Sequence, residues 1–143
     1  NKKRNILQIN SSYSNKKGTI RGMHYQKKPF QEDKVVFCLL GEIFDVIVDI
    51  RPNSRTFGKW SSAILSSKKM NAVYVPKGFA HGYQTLSDQC QMLYLHTEVY
   101  NQKSESGFSF KSPNLSIRWP LNPTNVSKKD LKLENFSGKK NDL

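Results

Sequence analysis

Three side chains in the sequence are suited to moving protons at neutral pH: His24, His81 and His96. Imidazole titrates at about 6.5 when unperturbed. A lone histidine in a β-rich chain is more often structural than chemical, but His24 and His81 carry informative neighbours. His24 lies in the segment Thr19-Ile-Arg-Gly-Met-His-Tyr-Gln26. On a strand, Gly22, His24 and Gln26 share one face, with Arg21, Met23 and Tyr25 on the other unless a bulge intervenes. Gly22 then leaves space beside the imidazole for a ligand to approach. His81 follows the turn Pro76-Lys77-Gly78 and opens the next strand, where barrel mouths carry sites.

Metal chemistry needs three or four converging ligands. The spacing P-x-G-x-x-H around His81 matches the second half of the cupin signature. The first half would supply H-x-H followed by Glu. Here Gln26 stands where the second histidine belongs, and Glu32 and Glu42 lack the spacing. A metal site is therefore not expected. Acid–base chemistry remains, with His24, His81, Lys34, Tyr94, Asp45 and Asp130 as the available groups. A histidine removes a proton best when a carboxylate fixes its tautomer, while a tyrosine can return a proton and a lysine can stabilise an enolate oxygen. Spacing alone does not bring these groups together.

The elements that must position them read as strands. Short runs rich in β-branched and aromatic residues alternate with turn residues. They cover Asn5–Asn10, Thr19–Tyr25, Lys34–Leu40, Glu42–Asp49, Trp60–Leu65, Asn71–Val75, His81–Leu86, Gln91–Val99 and Gly107–Phe110. A repeat of about ten residues suits an antiparallel sandwich or barrel. Glu42–Asp49 places Asp45 on a face with Ile43 and Ile47, so this carboxylate needs a cation or belongs to a site. After Trp119-Pro120 the pattern changes. Ser127–Leu133 can open a short helix, and residues 134–143 read as a flexible tail. The length of 143 residues suits one domain. No run approaches the roughly 18 apolar residues that span a bilayer.

The net charge of +12 admits nucleic acid, an acidic surface or a polyanionic small substrate. The lysines pair up in loops and tails, the pattern of solvated charge, and no nucleic-acid motif accompanies them. Cys38 and Cys90 both sit inside apolar runs and read as buried free thiols, which suits a cytoplasmic protein.

From Gln8 to Asp130 the chain resembles the dTDP-4-dehydrorhamnose 3,5-epimerase family. The pieces that carry the resemblance keep their spacing: Arg21-Gly-Met-His-Tyr-Gln26, Gly41-Glu-Ile-Phe-Asp-Val-Ile-Val-Asp49, Val75-Pro-Lys-Gly-Phe-Ala-His-Gly82, Leu93-Tyr94 and Ile117-Arg-Trp-Pro120. The resemblance implies an all-β, cupin-type jelly-roll barrel or sandwich with a short C-terminal helical or irregular segment. It implies that His24 is the general base, paired with Asp130, with Tyr94 as acid on the opposite sugar face and Lys34 near the ketone oxygen. His81 and Asp45 match a second polar pair lining the pocket. Arg21, Gln8, Asn10, Tyr100 and Glu105 match positions that hold the nucleotide and pyrophosphate. Gln26 joins them as an expected substrate contact. The family needs no metal or organic cofactor, takes a nucleotide-diphosphate sugar, and is typically a homodimer. No nucleic-acid or membrane partner is expected.

The expected activity is epimerisation at C3 and C5 of a 4-keto-6-deoxy sugar through an enolate. The alternatives are a single-carbon epimerase on another nucleotide sugar and a non-catalytic binder. The binder is motivated by the start of the chain, since family members carry several dozen residues before this region, including a strand and a G-F-F-E-type loop that helps bind nucleotide. The family's W-x-D-P-like stretch is here Phe110-Lys-Ser-Pro113.

Overall fold

A computed structural model describes residues 5–138. In chain order the elements are β1 (Gln8–Ser14), β2 (Thr19–Gln26), β3 (Lys34–Leu40), β4 (Glu42–Asp49), β5 (Trp60–Ser66), β6 (Ala72–Val75), β7 (Phe79–Thr85), β8 (Cys90–His96), β9 (Glu105–Gly107), β10 (Asn125–Val126) and α1 (Lys128–Leu131). They form two sheets. One has the order β1-β8-β3-β6; the other runs β10-β2-β7-β4-β5, with β9 also paired to β2. All pairs are antiparallel except β10 with β2. This is the all-β, cupin-like architecture expected, with one four-residue helix among the described residues, near the C-terminus.

The six-stranded sheet is apolar on both faces, and each face has its own core. Between the sheets, Ile43, Leu65 and Tyr83 pack against Val36, Cys90 and Met92. On the other face, Met23, Val46 and Val48 are covered by Phe108, Leu115 and Phe136 from the C-terminal segment. The alternation of β4 supplies both: Ile43 joins the first cluster, and Val46 and Val48 the second. Cys38 and Cys90 are free and buried, as their apolar surroundings imply.

Five sequence expectations shift. The first strand runs Gln8–Ser14 rather than Asn5–Asn10, because β1 is an edge strand whose residues are largely exposed and so carries no apolar alternation. The short strand expected at Gly107–Phe110 lies instead at Glu105–Gly107. The simple face alternation in β2 fails, because the β2–β7 register shifts between Arg21 and His24. Gly22 does not open space for a ligand. Its φ is +116°, and a Cβ there would stand 2.6 Å from the Gly82 Cα, so glycine serves the close approach of β2 to β7. Last, the start of the expected tail is packed: Phe136 is 3% exposed and its ring lies 4.9 Å from that of Phe108. Burying such a ring stabilises by about 1.5–3 kcal/mol. Residues 139–143 of that expected tail lie outside the described residues.

Candidate active site

Between the sheets a cavity of about 590 Å³ opens along β1. Nine of the twelve residues singled out from the sequence lie on six strands and one loop around it, and two more stand directly behind its wall. β2 contributes Arg21, His24 and Gln26, β3 Lys34, β7 His81, β8 Tyr94 and β9 Glu105, while Asn10 of β1 and Tyr100 of the β8–β9 loop complete the rim. Asp130 and Asp45 stand behind the wall, each holding a histidine. Gln8 stands outside: its amide donates to Asn10 Oδ1 and its oxygen accepts from the Tyr100 backbone N–H, at 2.9 and 2.7 Å. A larger cleft of about 730 Å³ lies over Lys27, Lys28, Arg51 and Lys77 and contains none of the histidines.

The register of the strands explains the convergence. His24 is opposite His81 across β2 and β7, so the two imidazoles come from neighbouring strands. Tyr94 and His96, two apart on β8, face the same way. His96 is opposite Gln8 on β1 and Lys34 on β3.

His24 Nε2 lies 2.6 Å from Asp130 Oδ1, and the imidazole is 32% exposed while the carboxylate is 1% exposed. Asp130 reaches this position through α1. Ser127 caps that turn, its Oγ accepting from the Asp130 N–H at 3.0 Å. Burial acts to raise the Asp130 pKa, but hydrogen bonding and attraction to His24, with Ser127 and the Gly22 N–H, outweigh it and hold the carboxyl below its usual value. When the carboxylate accepts a hydrogen bond from Nε2–H, the neutral ring keeps a lone pair on Nδ1, the arrangement of a general base.

His81 repeats the pairing 2.7 Å from Asp45 Oδ2, but there both groups are buried, 7% and 1% exposed. Tyr94 stands between two imidazoles. Its ring meets His81 edge-on at 6.2 Å and stacks on His96 at 5.9 Å. Burial, then the neighbouring Tyr83, pushes the Tyr94 phenol well above its ordinary pKa, so it keeps its proton at neutral pH. Lys34 Nζ pairs with Glu32 Oε1 at 2.9 Å. At the rim, the Tyr100 hydroxyl donates to Glu105 Oε2 at 2.6 Å, and Lys129 pairs with the same oxygen. Arg21 donates to the Ile20 carbonyl and has no carboxylate partner among the described residues, which leaves its charge for an anion.

Two results depart from expectation. Gln26 borders the cavity, but its amide is committed to loop backbone. It donates to the Phe30 and Val99 carbonyls and accepts from the Asn101 N–H, so it braces two loops beside the site. Glu32 and His96 line the cavity and were not singled out as site residues. The strand period offered a signal for His96, since Tyr94 and His96 must share a face. Glu32 lies in a loop and meets a partner 64 residues away, which no local pattern reveals. Among the described residues, no three His, Cys, Asp or Glu side chains converge as a metal site.

The arrangement offers a backed imidazole base, a phenol kept protonated and an ammonium in one cavity. That set can move a proton on carbon next to a carbonyl: base to proton, ammonium to the developing oxygen charge, phenol to the other face.

A sequence profile for dTDP-4-dehydrorhamnose 3,5-epimerase matches residues 1–138. The dTDP-4-dehydrorhamnose 3,5-epimerase of Shigella flexneri is 40% identical over 131 residues, covering 92% of this chain and 72% of the relative. Among solved structures, the Bacillus anthracis enzyme of that name, with TDP and PPi bound, superposes with a TM-score of 0.91 at 40% identity, over 93% of this chain and 76% of that one. The Legionella pneumophila dTDP-6-deoxy-D-glucose-3,5-epimerase, in complex with dTDP-4-keto-L-rhamnose, gives 0.88 at 41% identity, over 92% and 70%.

Proposed function

Because the chain belongs to the dTDP-4-dehydrorhamnose 3,5-epimerase family, we propose that it inverts C3 and C5 of dTDP-4-dehydro-6-deoxyglucose by proton removal and return. The observation that carries this is the His24–Asp130 pair facing a cavity that also holds Tyr94 and Lys34. The C4 ketone acidifies the protons on C3 and C5. His24 takes one of them, and the C–H electron pair moves into an enolate whose oxygen is stabilised by the Lys34 ammonium. Asp130 stabilises the imidazolium that forms. Tyr94 then gives its phenolic proton to the same carbon from the other face, and that carbon is inverted. Repetition at the second carbon completes the product once the two groups have recovered their protonation states from solvent.

The remaining polar groups serve binding. Arg21, whose guanidinium has no carboxylate partner among the described residues, meets the diphosphate. Asn10, Tyr100 and Glu105 border the nucleotide end, and Gln8 holds Asn10 and Tyr100 in place. His81 with Asp45 forms the wall beside Tyr94. The chemistry assigned to these residues uses no metal or organic cofactor.

The outer face of the four-stranded sheet supports a homodimer. Ile9, Tyr13, Leu39 and Tyr74 are all 46–63% exposed there, an apolar surface of the kind that pairs with a copy of itself. Two buried free thiols fit a cytoplasmic setting.

The test is incubation with dTDP-4-keto-6-deoxyglucose in deuterated water, followed by NMR at H3 and H5. Deuterium at both carbons is expected. Exchange at one carbon alone selects a single-carbon epimerase, and exchange at neither contradicts the proposal.

A further inference from the structure

Glu32 connects two other buried groups. Its Oε1 pairs with Lys34 Nζ at 2.9 Å, and its Oε2 with His96 Nδ1 at 2.8 Å. All three side chains are nine-tenths buried: 9% exposed for Glu32 and 10% for Lys34 and His96. The three come from a loop, β3 and β8, so their meeting is a product of the fold. Both carboxylate oxygens are occupied, one by a cation and one by an imidazole N–H, which fixes the plane of the carboxylate. His96 is in turn stacked on Tyr94. A carboxylate accepts, so Nδ1 must carry the proton, and the neutral ring is left with a lone pair on Nε2. That atom is buried and has no hydrogen-bond partner among the described residues. A buried acceptor without a donor is costly and persists where a ligand supplies the donor.

We propose that Glu32 and His96 are positioning residues that hold the Lys34 ammonium at the reacting oxygen, and that His96 Nε2 accepts a hydrogen bond from a hydroxyl of the bound sugar. This rests on the function proposed above for the same cavity. An amine on a four-carbon stem has many rotamers, and an ammonium stabilises an enolate only when aimed at it. Glu32 removes that freedom. Its carboxyl stays ionised near neutrality: burial acts to raise its pKa, but the His96 hydrogen bond and the Lys34 charge outweigh it. His96 prevents the carboxylate from turning away, and its ring borders the cavity.

The first test is a double-mutant cycle on the exchange reaction. Glu32→Gln is expected to lower kcat about thirtyfold in the native background and to change it less than about twofold in a Lys34→Met background. Equal losses in both backgrounds would overturn the claim that Glu32 acts through Lys34. The second test separates the two nitrogens of His96. His96→Asn keeps a donor near Nδ1, so kcat is expected to hold while KM rises about fivefold; His96→Leu is expected to lower kcat about tenfold as well. An unchanged KM in His96→Asn, or a native kcat in His96→Leu, would contradict the assignment.

A third measurement needs neither turnover nor substrate. Reductive methylation of the folded protein, read at Lys34 by mass spectrometry, is expected to run about tenfold faster in Glu32→Gln and His96→Leu than in the native chain. Equal rates would overturn the clamp whether or not the chain epimerises a sugar. Faster methylation in a chain that exchanges no proton would instead uphold the clamp and reject the activity.

Discussion

The molecule builds two histidine–carboxylate pairs of nearly equal length, 2.6 Å for His24 with Asp130 and 2.7 Å for His81 with Asp45, and gives them opposite access to solvent. The His24 ring is 32% exposed and the His81 ring 7%. The difference comes from where each carboxylate is anchored. Asp45 is in the middle of β4, a strand paired on both sides, and its histidine is on the adjacent β7. Asp130 approaches β2 from a one-turn helix outside the sheet, held by the Ser127 cap. One pair is therefore part of the wall, and the other presents a ring to whatever enters. A pairing distance alone does not identify a base; access decides which pair can exchange a proton with a ligand.

The sharpest break between the pairs is removal of the exposed ring. His24→Ala is expected to lower kcat about a thousandfold while leaving the melting temperature within a few degrees, measured by NMR assay and calorimetry. The carboxylates should then dissociate activity from stability. Asp130→Asn is expected to lower kcat about a hundredfold and cost about 1 kcal/mol of stability. Asp45→Asn is expected to lower kcat about tenfold or less and cost about 2 kcal/mol, because its partner is fully enclosed. Denaturant titration beside kinetics reads both, and a reversed order would erase the distinction.

The same comparison has a pH signature. The folded Asp130 carboxyl is held below its ordinary value, so near that value the unfolded chain binds more protons than the folded one. Its contribution to stability is complete above the usual carboxylate pKa of about 3.9 and is lost as pH falls through the depressed folded value. Unfolding free energy measured from neutral to acid pH should decline less steeply in Asp130→Asn. The smallest effect is at the cap. Ser127→Ala is expected to cost about 1 kcal/mol and to reduce kcat less than Asp130→Asn does, because α1 keeps its carboxylate but holds it less firmly.

Much of this comparison was legible before any coordinates. The period of two in Glu42–Asp49 flagged Asp45 as an inward carboxylate that needs a partner, and the turn before Phe79 placed His81 on a strand. Asp130 was different. It is 106 residues from His24, and only the family resemblance joined them. β1 was misplaced because an edge strand of serines, exposed along most of its length, has no apolar rhythm. Gln26 was assigned to the ligand because the sequence shows which side chains can hydrogen-bond, but not that the Phe30, Val99 and Asn101 backbone already satisfies this one. Phe136 was assigned to a mobile tail because its neighbours are polar. Its burial depends on a groove made by Phe57 and Phe108, residues remote in sequence.

The central claim is that His24, backed by Asp130, is the base that removes the sugar's proton. The most direct test is the rate at which solvent deuterium enters C3 and C5 of dTDP-4-keto-6-deoxyglucose with His24→Ala, at a protein concentration where TDP binding is shown to be intact. The expected result is deuterium at neither carbon, beside deuterium at both with the native chain. Incorporation at either carbon at the native rate would show that another group takes the proton.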